Sequence, residues 1–276
     1  MAISNLQGKK VFITGAASGI GAATAHAFAE QGCELVLTDL DASGLEVTAE
    51  SVNEAGARSH SLILDVSNEE QFKRVAADVC ATIGVPDVLV NNAGIGVHGS
   101  FLNTPMDAVR RVFDINLYGV YNGCHAFLPM MLEEADYRHL VNIASLASIA
   151  PAPNMSAYAA TKYAVDGLTE VLAMELADSN VGVTCVHPGI IDTAIAYGKS
   201  YNGDAGLEQE RCIGEYYGAH GTDPDVVARG IVGAVKTGRA HLYIGHLAPL
   251  TEKLKRLSPT LSRKSSINLA RKIGSA

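Results

Sequence analysis

The chain contains no tryptophan and only six phenylalanines among its 276 residues. A core without large aromatics must be filled by small and branched side chains, and the 48 % hydrophobic content, rich in Ala, Val, Ile and Gly, supplies them. Charge is also sparse at 18 %, which excludes the polar, highly charged composition of a disordered chain. The few cysteines, Cys33, Cys80, Cys124, Cys185 and Cys212, are odd in number, widely spread and never spaced as Cys-x-x-Cys. That pattern argues against a disulfide framework and against a zinc site, so no metal is expected and a reducing, cytoplasmic compartment is. No apolar run is long enough to span a membrane, and residues 1–10 lack the apolar core of a secretory leader.

Positive charge is missing from most of the chain. The net charge is −8, yet residues 247–276 carry Lys253, Lys255, Arg256, Arg263, Lys264, Arg271 and Lys272 against Glu252 alone. An acidic body argues against nucleic acid as a partner. The basic tail interleaves its cations with Leu254, Leu257, Leu261, Ile267, Leu269 and Ile273. It reads as an extension beyond residue 246, either a solvated helix, frayed in part, or a subunit contact. Weak attachment to an anionic membrane surface is the sharper alternative.

What the sequence does hold is alternation. The apolar run Lys10 to Thr14 ends in a Gly-rich turn, and the helix after it repeats Ile20, Ala23, Ala27 and Phe28 at helical offsets before Gly32 stops it. Strand 34–39, helix 42–55, strand 61–65 and helix 68–83 follow. Then come strand 87–91, a long helix 116–133, strand 139–144, helix 157–177, strand 182–187, helix 224–236 and strand 241–245. This order predicts a doubly wound α/β fold, a parallel sheet with helices on both faces, whose ligands lie beyond the C-terminal strand ends. Segment 190–221, rich in Gly and Tyr and weakly periodic, reads as a mobile lid within one domain of residues 1–246.

The strand ends carry chemistry. Gly15, Ser18, Gly19, Ile20 and Gly21 stand where the first strand turns into the first helix, where glycines let a pyrophosphate approach helix N-terminal amides. Asp39 ends the second strand, placed to accept from adenosine ribose hydroxyls and to repel a 2′-phosphate. Neither Ala17 nor Leu40 offers a cation for such a phosphate, which favours NAD over NADP. Asp65 offers a carboxylate to adenine or a turn-forming acceptor, and Asn91-Asn92-Ala93-Gly94 reads as a polar turn tying loops together. Asn116 lies inside a helical pattern, where Asn is unfavourable; the functional alternative is to hold water near Lys162. Tyr158 and Lys162 are four apart on a helix, so a phenol and an ammonium share a face. A nearby cation favours the phenolate, and the pair can make a general base.

Taken in order and spacing, Thr14-Gly-x-x-x-Gly-Ile-Gly21, Asn91-Asn-Ala-Gly94, Asn116, Ser145, Tyr158-x-x-x-Lys162 and Pro188-Gly189 resemble the short-chain dehydrogenase/reductase family, of its single-domain type. The resemblance runs from about residue 9 to 245. It implies a Rossmann-type fold with a seven-stranded parallel sheet whose first strands run 3-2-1-4. It further implies that Tyr158 exchanges a proton with the substrate oxygen, that Ser145 orients that oxygen, and that Lys162 lowers the tyrosine's pKa and binds the nicotinamide ribose. Asn116 would hold a water on Lys162. Thr193 matches a contact to the nicotinamide carboxamide, and Val66, Ile191, Pro188 and Gly189 fall among its cofactor-binding positions. Ser148 competes with Ser145, and the family spacing to Tyr158 selects Ser145.

The resulting expectation is an NAD(H)-dependent oxidoreductase that interconverts a secondary alcohol and a ketone. An apolar substrate is suggested by the stretch Leu146 to Met155 and by Tyr197, Tyr201, Tyr216 and Tyr217. A homo-oligomer, dimer or tetramer, assembled through the helices of Asn116 and Tyr158 is implied by the resemblance. Three rivals stand beside it: an NADP(H)-dependent ketoreductase, a nucleotide-sugar epimerase or dehydratase, and a cofactor-binding regulator or scaffold without turnover.

Overall fold

A computed structural model describes residues 2–193, 195, 200–202 and 204–274. The first two units wind in one direction: β1 (Lys10–Thr14), α1 (Gly19–Ala29), β2 (Glu34–Asp39), α2 (Ala42–Glu54), β3 (Arg58–Ile63) and α3 (Glu69–Thr82). The chain then crosses to the other side of β1 through β4 (Val88–Asn91), α4 (Met106–Phe113), α5 (Gly119–Leu132), β5 (Arg138–Ile143), α6 (Ser156–Glu175) and β6 (Val181–Pro188). It closes with α7 (Asp204–His220), α8 (Pro224–Thr237), β7 (His241–Ile244), α9 (Ala248–Leu257) and α10 (Pro259–Lys272).

The seven strands are parallel in the order β3-β2-β1-β4-β5-β6-β7. β1 pairs with β2 on one side and β4 on the other, so the loops leaving β1 and β4 diverge. That divergence opens a crevice at their C-terminal ends.

Both sheet faces are covered, which is why the central strands read as continuous apolar runs. Alternate residues feed two cores. Val11 and Ile13 join Leu35, Leu37, Val88 and Val90 beneath α1 and α8, while Phe12 joins Val36, Leu89 and Leu140 on the other face. Three of the six phenylalanines meet there: Phe12 lies 4.6 Å from Phe127 and 6.1 Å from Phe72, between ring centroids. Helix ends follow local chemistry. Asp223 accepts from the Asp225 N–H before Pro224 opens α8, and Gly238, at φ 67°, ends it.

Four expectations shift. The third strand is β3, Arg58–Ile63, not 61–65. It is a half-exposed edge, so polar Arg58, Ser59, His60 and Ser61 pair in it, while Leu64 packs beyond its end. The long helix over 116–133 begins earlier, as α4, and passes through a π-helical turn, Asp114–Tyr118, before α5. Segment 190–221 is largely the helix α7. The tail is no frayed single helix: α9 and α10 meet at Ser258, which accepts from the Leu261 N–H.

Candidate active site

The Gly-rich turn is built for close approach. Gly15 has φ +69°, and a Cβ there would stand 2.8 Å from Ala93 Cα, so this position admits only glycine. A Cβ on Gly21 would collide with the Gly15 carbonyl oxygen. Asn92 closes the turn by donating from Nδ2 to the carbonyls of Thr14 (2.9 Å) and Gly15 (3.1 Å). Thr14 Oγ1 in turn accepts from the N–H groups of Asn92 and Ala93, both at 3.0 Å. The polar-turn reading of residues 91–94 therefore holds beside a ligand site. Ser18 stands at the N-cap of α1 without a side-chain cap bond, which leaves the first helical N–H groups facing the crevice. Thr193 faces them, with its Cγ2 3.2 Å from a Cβ position on Gly19.

Asp39 is held in place by the backbone. Its Oδ2 accepts from the Ala17 N–H and its Oδ1 from the Asp41 N–H, each at 3.0 Å. Each oxygen keeps a further lone pair for a ribose hydroxyl. Asp65 forms a turn, accepting from the Ser67 N–H (2.9 Å) and Oγ (2.6 Å). A dinucleotide fits this donor set: amides and glycines for its phosphates, and a fixed carboxylate for its ribose.

At the other end, α6 carries Tyr158 and Lys162 one turn apart, both buried, under the loop that follows β5. The Ser145 hydroxyl lies close enough to the Tyr158 phenol to favour its ionised form. Lys162 Nζ donates to the Ile143 carbonyl at 2.8 Å and lies 5.8 Å from the Tyr158 ring centroid. Burial pushes the Lys162 ammonium down to about 8. Burial also raises the Tyr158 phenol, with the Ser145 hydroxyl opposing it. Ser148, the competitor, is occupied elsewhere, donating to the Ser145 carbonyl at 2.7 Å and meeting His187 Nδ1 at 3.0 Å.

Asn116 points inward, against the usual habit of a helical Asn. The π turn rotates it onto residue 95, where Oδ1 accepts from the Ile95 N–H (2.8 Å) and Nδ2 donates to the Ile95 carbonyl (3.0 Å). All the sequence-predicted site residues except Gly21 and Asn116 line one cavity of about 560 Å³. Those two lie behind it and shape it.

The substrate side of this cavity was poorly legible in the sequence. Leu146 and Met155 belong to the apolar stretch already noted, and Tyr217 reaches the cavity from α7 with Gln209 and Ile213. Tyr201 packs near Tyr158 and Ile195, and Tyr216 stacks on His220; Tyr197 lies outside the described residues. His98 contributes a buried imidazole from the loop after β4. The basic tail supplies a whole wall, through Leu250, Leu254, Leu269 and Ile273. Its cations Lys253, Arg263, Lys264, Arg271 and Lys272 are exposed, as are Leu257 (85 %) and Leu261 (54 %). The period of the tail's apolar residues signalled a packed face but not what it faces.

A short chain dehydrogenase family model matches residues 9–202. The "Probable oxidoreductase EphD" of Mycobacterium tuberculosis is 40 % identical over 232 residues, which cover 82 % of this chain but only 39 % of that protein. The chain thus spans about two fifths of that longer relative. The "Putative oxidoreductase SadH" of the same species is 37 % identical over 259 residues, 92 % of either chain. Among solved structures, a short-chain dehydrogenase/reductase from Burkholderia phymatum in complex with NAD superposes with TM-score 0.87 at 31 % identity, covering 95 % of this chain and 97 % of that one. A metagenomic short-chain oxidoreductase in complex with NADP superposes with TM-score 0.69 at 30 % identity, covering 87 % and 96 %. With the β1 turn, the buried Tyr158 and Lys162 beside Ser145, and these matches in one frame, the chain belongs to the short-chain dehydrogenase/reductase family of oxidoreductases.

Proposed function

We propose that the protein is an NAD(H)-dependent oxidoreductase that interconverts a secondary alcohol and a ketone on an apolar substrate. The observation that carries this reading is the Ser145–Tyr158 hydroxyl pair beside Lys162, at the apolar end of a cavity whose far end is Asp39. In the oxidative direction, Tyr158 takes the proton of the substrate hydroxyl while Ser145 donates a hydrogen bond to the same oxygen. The nicotinamide, when bound, supplies the hydride acceptor and, in its oxidised form, positive charge beside Tyr158. Lys162 is held by the Ile143 carbonyl, with its remaining protons available to a ribose hydroxyl and to Tyr158. Asn116 fixes the loop at residue 95 that faces Lys162 through Gly94.

The preference for NAD rests on Asp39, whose fixed carboxylate would meet a 2′-phosphate with like charge, and on Leu40 beside it. The apolar substrate rests on Leu146, Met155, Ile195, Ile213, Leu254 and Leu269. A homo-oligomer is part of the proposal. Tyr118, Tyr121 and Leu132, from the π turn and α5, and Tyr163, Val171 and Met174 from α6 are exposed apolar side chains on the helices that also carry the site. No helix among the described residues is long and apolar enough to cross a membrane.

The test is Tyr158→Phe, assayed with NAD and NADP over a panel of apolar secondary alcohols. NADH titration should be unchanged while kcat falls by about 10³-fold, the range for removing a general acid/base. Substantial turnover in the variant sinks the mechanism, equal turnover with NADP removes the NAD preference, and NADH binding without any hydride transfer by the wild type favours the scaffold.

A further inference from the structure

Beneath the Ser145 turn, on the side away from the cavity, three metal-ligating side chains converge. Cys185 and His187 are alternate residues of β6, so they project from the same face of the strand, and Asp166 comes from α6. Their ligand atoms all lie within 4.8 Å of one another. Asp166 Oδ1 is 3.5 Å from Cys185 Sγ and 3.5 Å from His187 Nε2. Zinc bonds of about 2.0–2.3 Å at tetrahedral angles place ligand atoms roughly 3.3–3.6 Å apart, a spacing that both separations from Asp166 match.

Proton bookkeeping makes the arrangement unusual for an ordinary polar contact. Ser148 Oγ has one hydrogen, and it points to the Ser145 carbonyl at 2.7 Å. The 3.0 Å contact between Ser148 Oγ and His187 Nδ1 is then a bond that Nδ1–H donates. In the neutral imidazole, Nε2 is left with a bare lone pair facing the Asp166 carboxylate. His187 is fully buried, and its Nε2 has no hydrogen-bond partner among the described residues. The Cys185 thiol donates to Asp166 Oδ1, but the Nε2 lone pair of His187 faces that same carboxylate oxygen with no proton between them, an arrangement that a cation would resolve.

We propose that Asp166, Cys185 and His187 form a zinc site, with water in the fourth position. The Nδ1–H bond to Ser148 is the outer contact that fixes a ligating imidazole. A mixed O, S and N set with tetrahedral spacing suits zinc over magnesium or calcium. A cavity of about 190 Å³ lined by Ser148, Asp166, Tyr243, Glu252, Lys255 and Arg256 reaches the Asp166 side of the site. Loading displaces the Cys185 thiol proton to solvent, and the dication then balances one thiolate and one carboxylate. No local spacing announces the site, because its donors come from two elements and include no Cys-x-x-Cys.

The site lies one turn along α6 from Lys162 and is bonded through His187 and Ser148 to the Ser145 backbone. Zinc there would act as a positioning element, holding the floor under Ser145 and Lys162, and it takes no part in hydride transfer.

The experiment uses the untagged full chain, loaded with zinc sulfate, desalted, and assayed for bound metal by mass spectrometry and by competition with a chromophoric chelator. Cobalt(II) chloride serves as the optical probe, because thiolate ligation gives a sulfur-to-cobalt charge-transfer band. One equivalent of zinc is expected. Cys185→Ala and Asp166→Asn should each weaken binding at least about tenfold, the effect already typical of losing an outer-shell partner. Cys185→Ala should also lose the charge-transfer band, while Cys80→Ser keeps both signals. Asp166 is partly exposed, so Asp166→Asn reports even if the Cys185 variant folds poorly. Absence of retained zinc in the wild type, or equal retention by the Cys185 and Asp166 variants, overturns the site.

Discussion

The crevice at the ends of β1, β2 and β4 and the cover made by α7, α9 and α10 enclose the same cavity by different physics. The crevice is specified by backbone: a positive-φ Gly15, a Gly21 with no room for a Cβ, and carbonyls and amides closed by Thr14, Asn92 and Asp39. Few residue types satisfy any one of those positions. The cover presents Ile213, Tyr217, Leu254 and Leu269, where many apolar side chains of similar volume would serve. One wall constrains sequence by geometry, and the other only by hydropathy.

The comparison breaks if the reactive end of the crevice tolerates change. Lys162 is buried and held to the Ile143 carbonyl. Lys162→Met should lower kcat by about 10³-fold while leaving the fold intact. It should also raise the melting temperature at pH 7, because it removes a buried charge. The sign follows from linkage. The folded pKa, pushed down to about 8, lies below the unfolded value. Between the two, the unfolded chain binds more protons, so the wild type gains stability as pH rises through that window. The advantage of Lys162→Met should shrink from pH 8 toward pH 10, as read by thermal melts. An advantage that grows with pH would show that the ammonium is not penalised in the fold.

The cofactor end gives the next largest effect. Gly21→Ala places a Cβ against the Gly15 carbonyl oxygen, and backbone cannot swing aside as a side chain can. Overpacking of this kind costs about 3 kcal/mol, which should weaken NADH binding roughly 100-fold in a fluorescence titration. The far-ultraviolet circular dichroism should stay native. Unaltered binding would mean that the turn relaxes freely, and the contrast between the two walls would fail at its strongest point.

Legibility in the sequence followed the same division. The order of strands and helices and the Tyr158, Lys162 and Asp39 positions could be read because each obeys a local rule of period, strand end or spacing along one element, whereas Ser145 came only through the family resemblance. β3 was displaced because its half-exposed edge contains Arg58, Ser59, His60 and Ser61, which carry no apolar signal. The inward turn of Asn116 depends on a π-helical register that no residue pattern encodes. α7 has little amphipathic contrast because Tyr217 and Ile213 reach a cavity, not a uniform core. The tail's apolar period was visible, but the cavity it faces is shared with Gln209, Ile213 and Tyr217 of α7, some tens of positions earlier. Contacts of that range leave no trace in a local window.

The cover should therefore respond in substrate terms alone. Leu269 lines the cavity from α10. Leu269→Ala removes apolar surface worth about 1–1.5 kcal/mol and should lower kcat/KM for apolar alcohols by about tenfold. The loss should fall in KM, with NADH affinity unchanged. A matching loss in kcat at saturating substrate would mean that the cover helps to set the reacting geometry, which the crevice is here said to do alone.

The smallest effect tests whether the cover is a separate unit of stability. Ser258 joins α9 to α10 and its side-chain oxygen accepts from the Leu261 N–H at 3.3 Å, while Ala270 and Ser262 are the buried anchors of α10. Replacing such a cap by alanine costs about 1 kcal/mol. If α10 opens without the sheet, Ser258→Ala should speed amide exchange within Pro259–Lys272 by about fivefold and leave β1, β4 and β5 at wild-type protection. If the cover unfolds only with the core, the same substitution lowers protection throughout the chain. The first outcome makes α10 a gate whose opening exposes Leu269 and Ile273, so substrate entry and cofactor retention would be governed by different parts of the fold. The second makes both walls one cooperative structure, and the difference between them would then lie in how their sequences are constrained rather than in how they move.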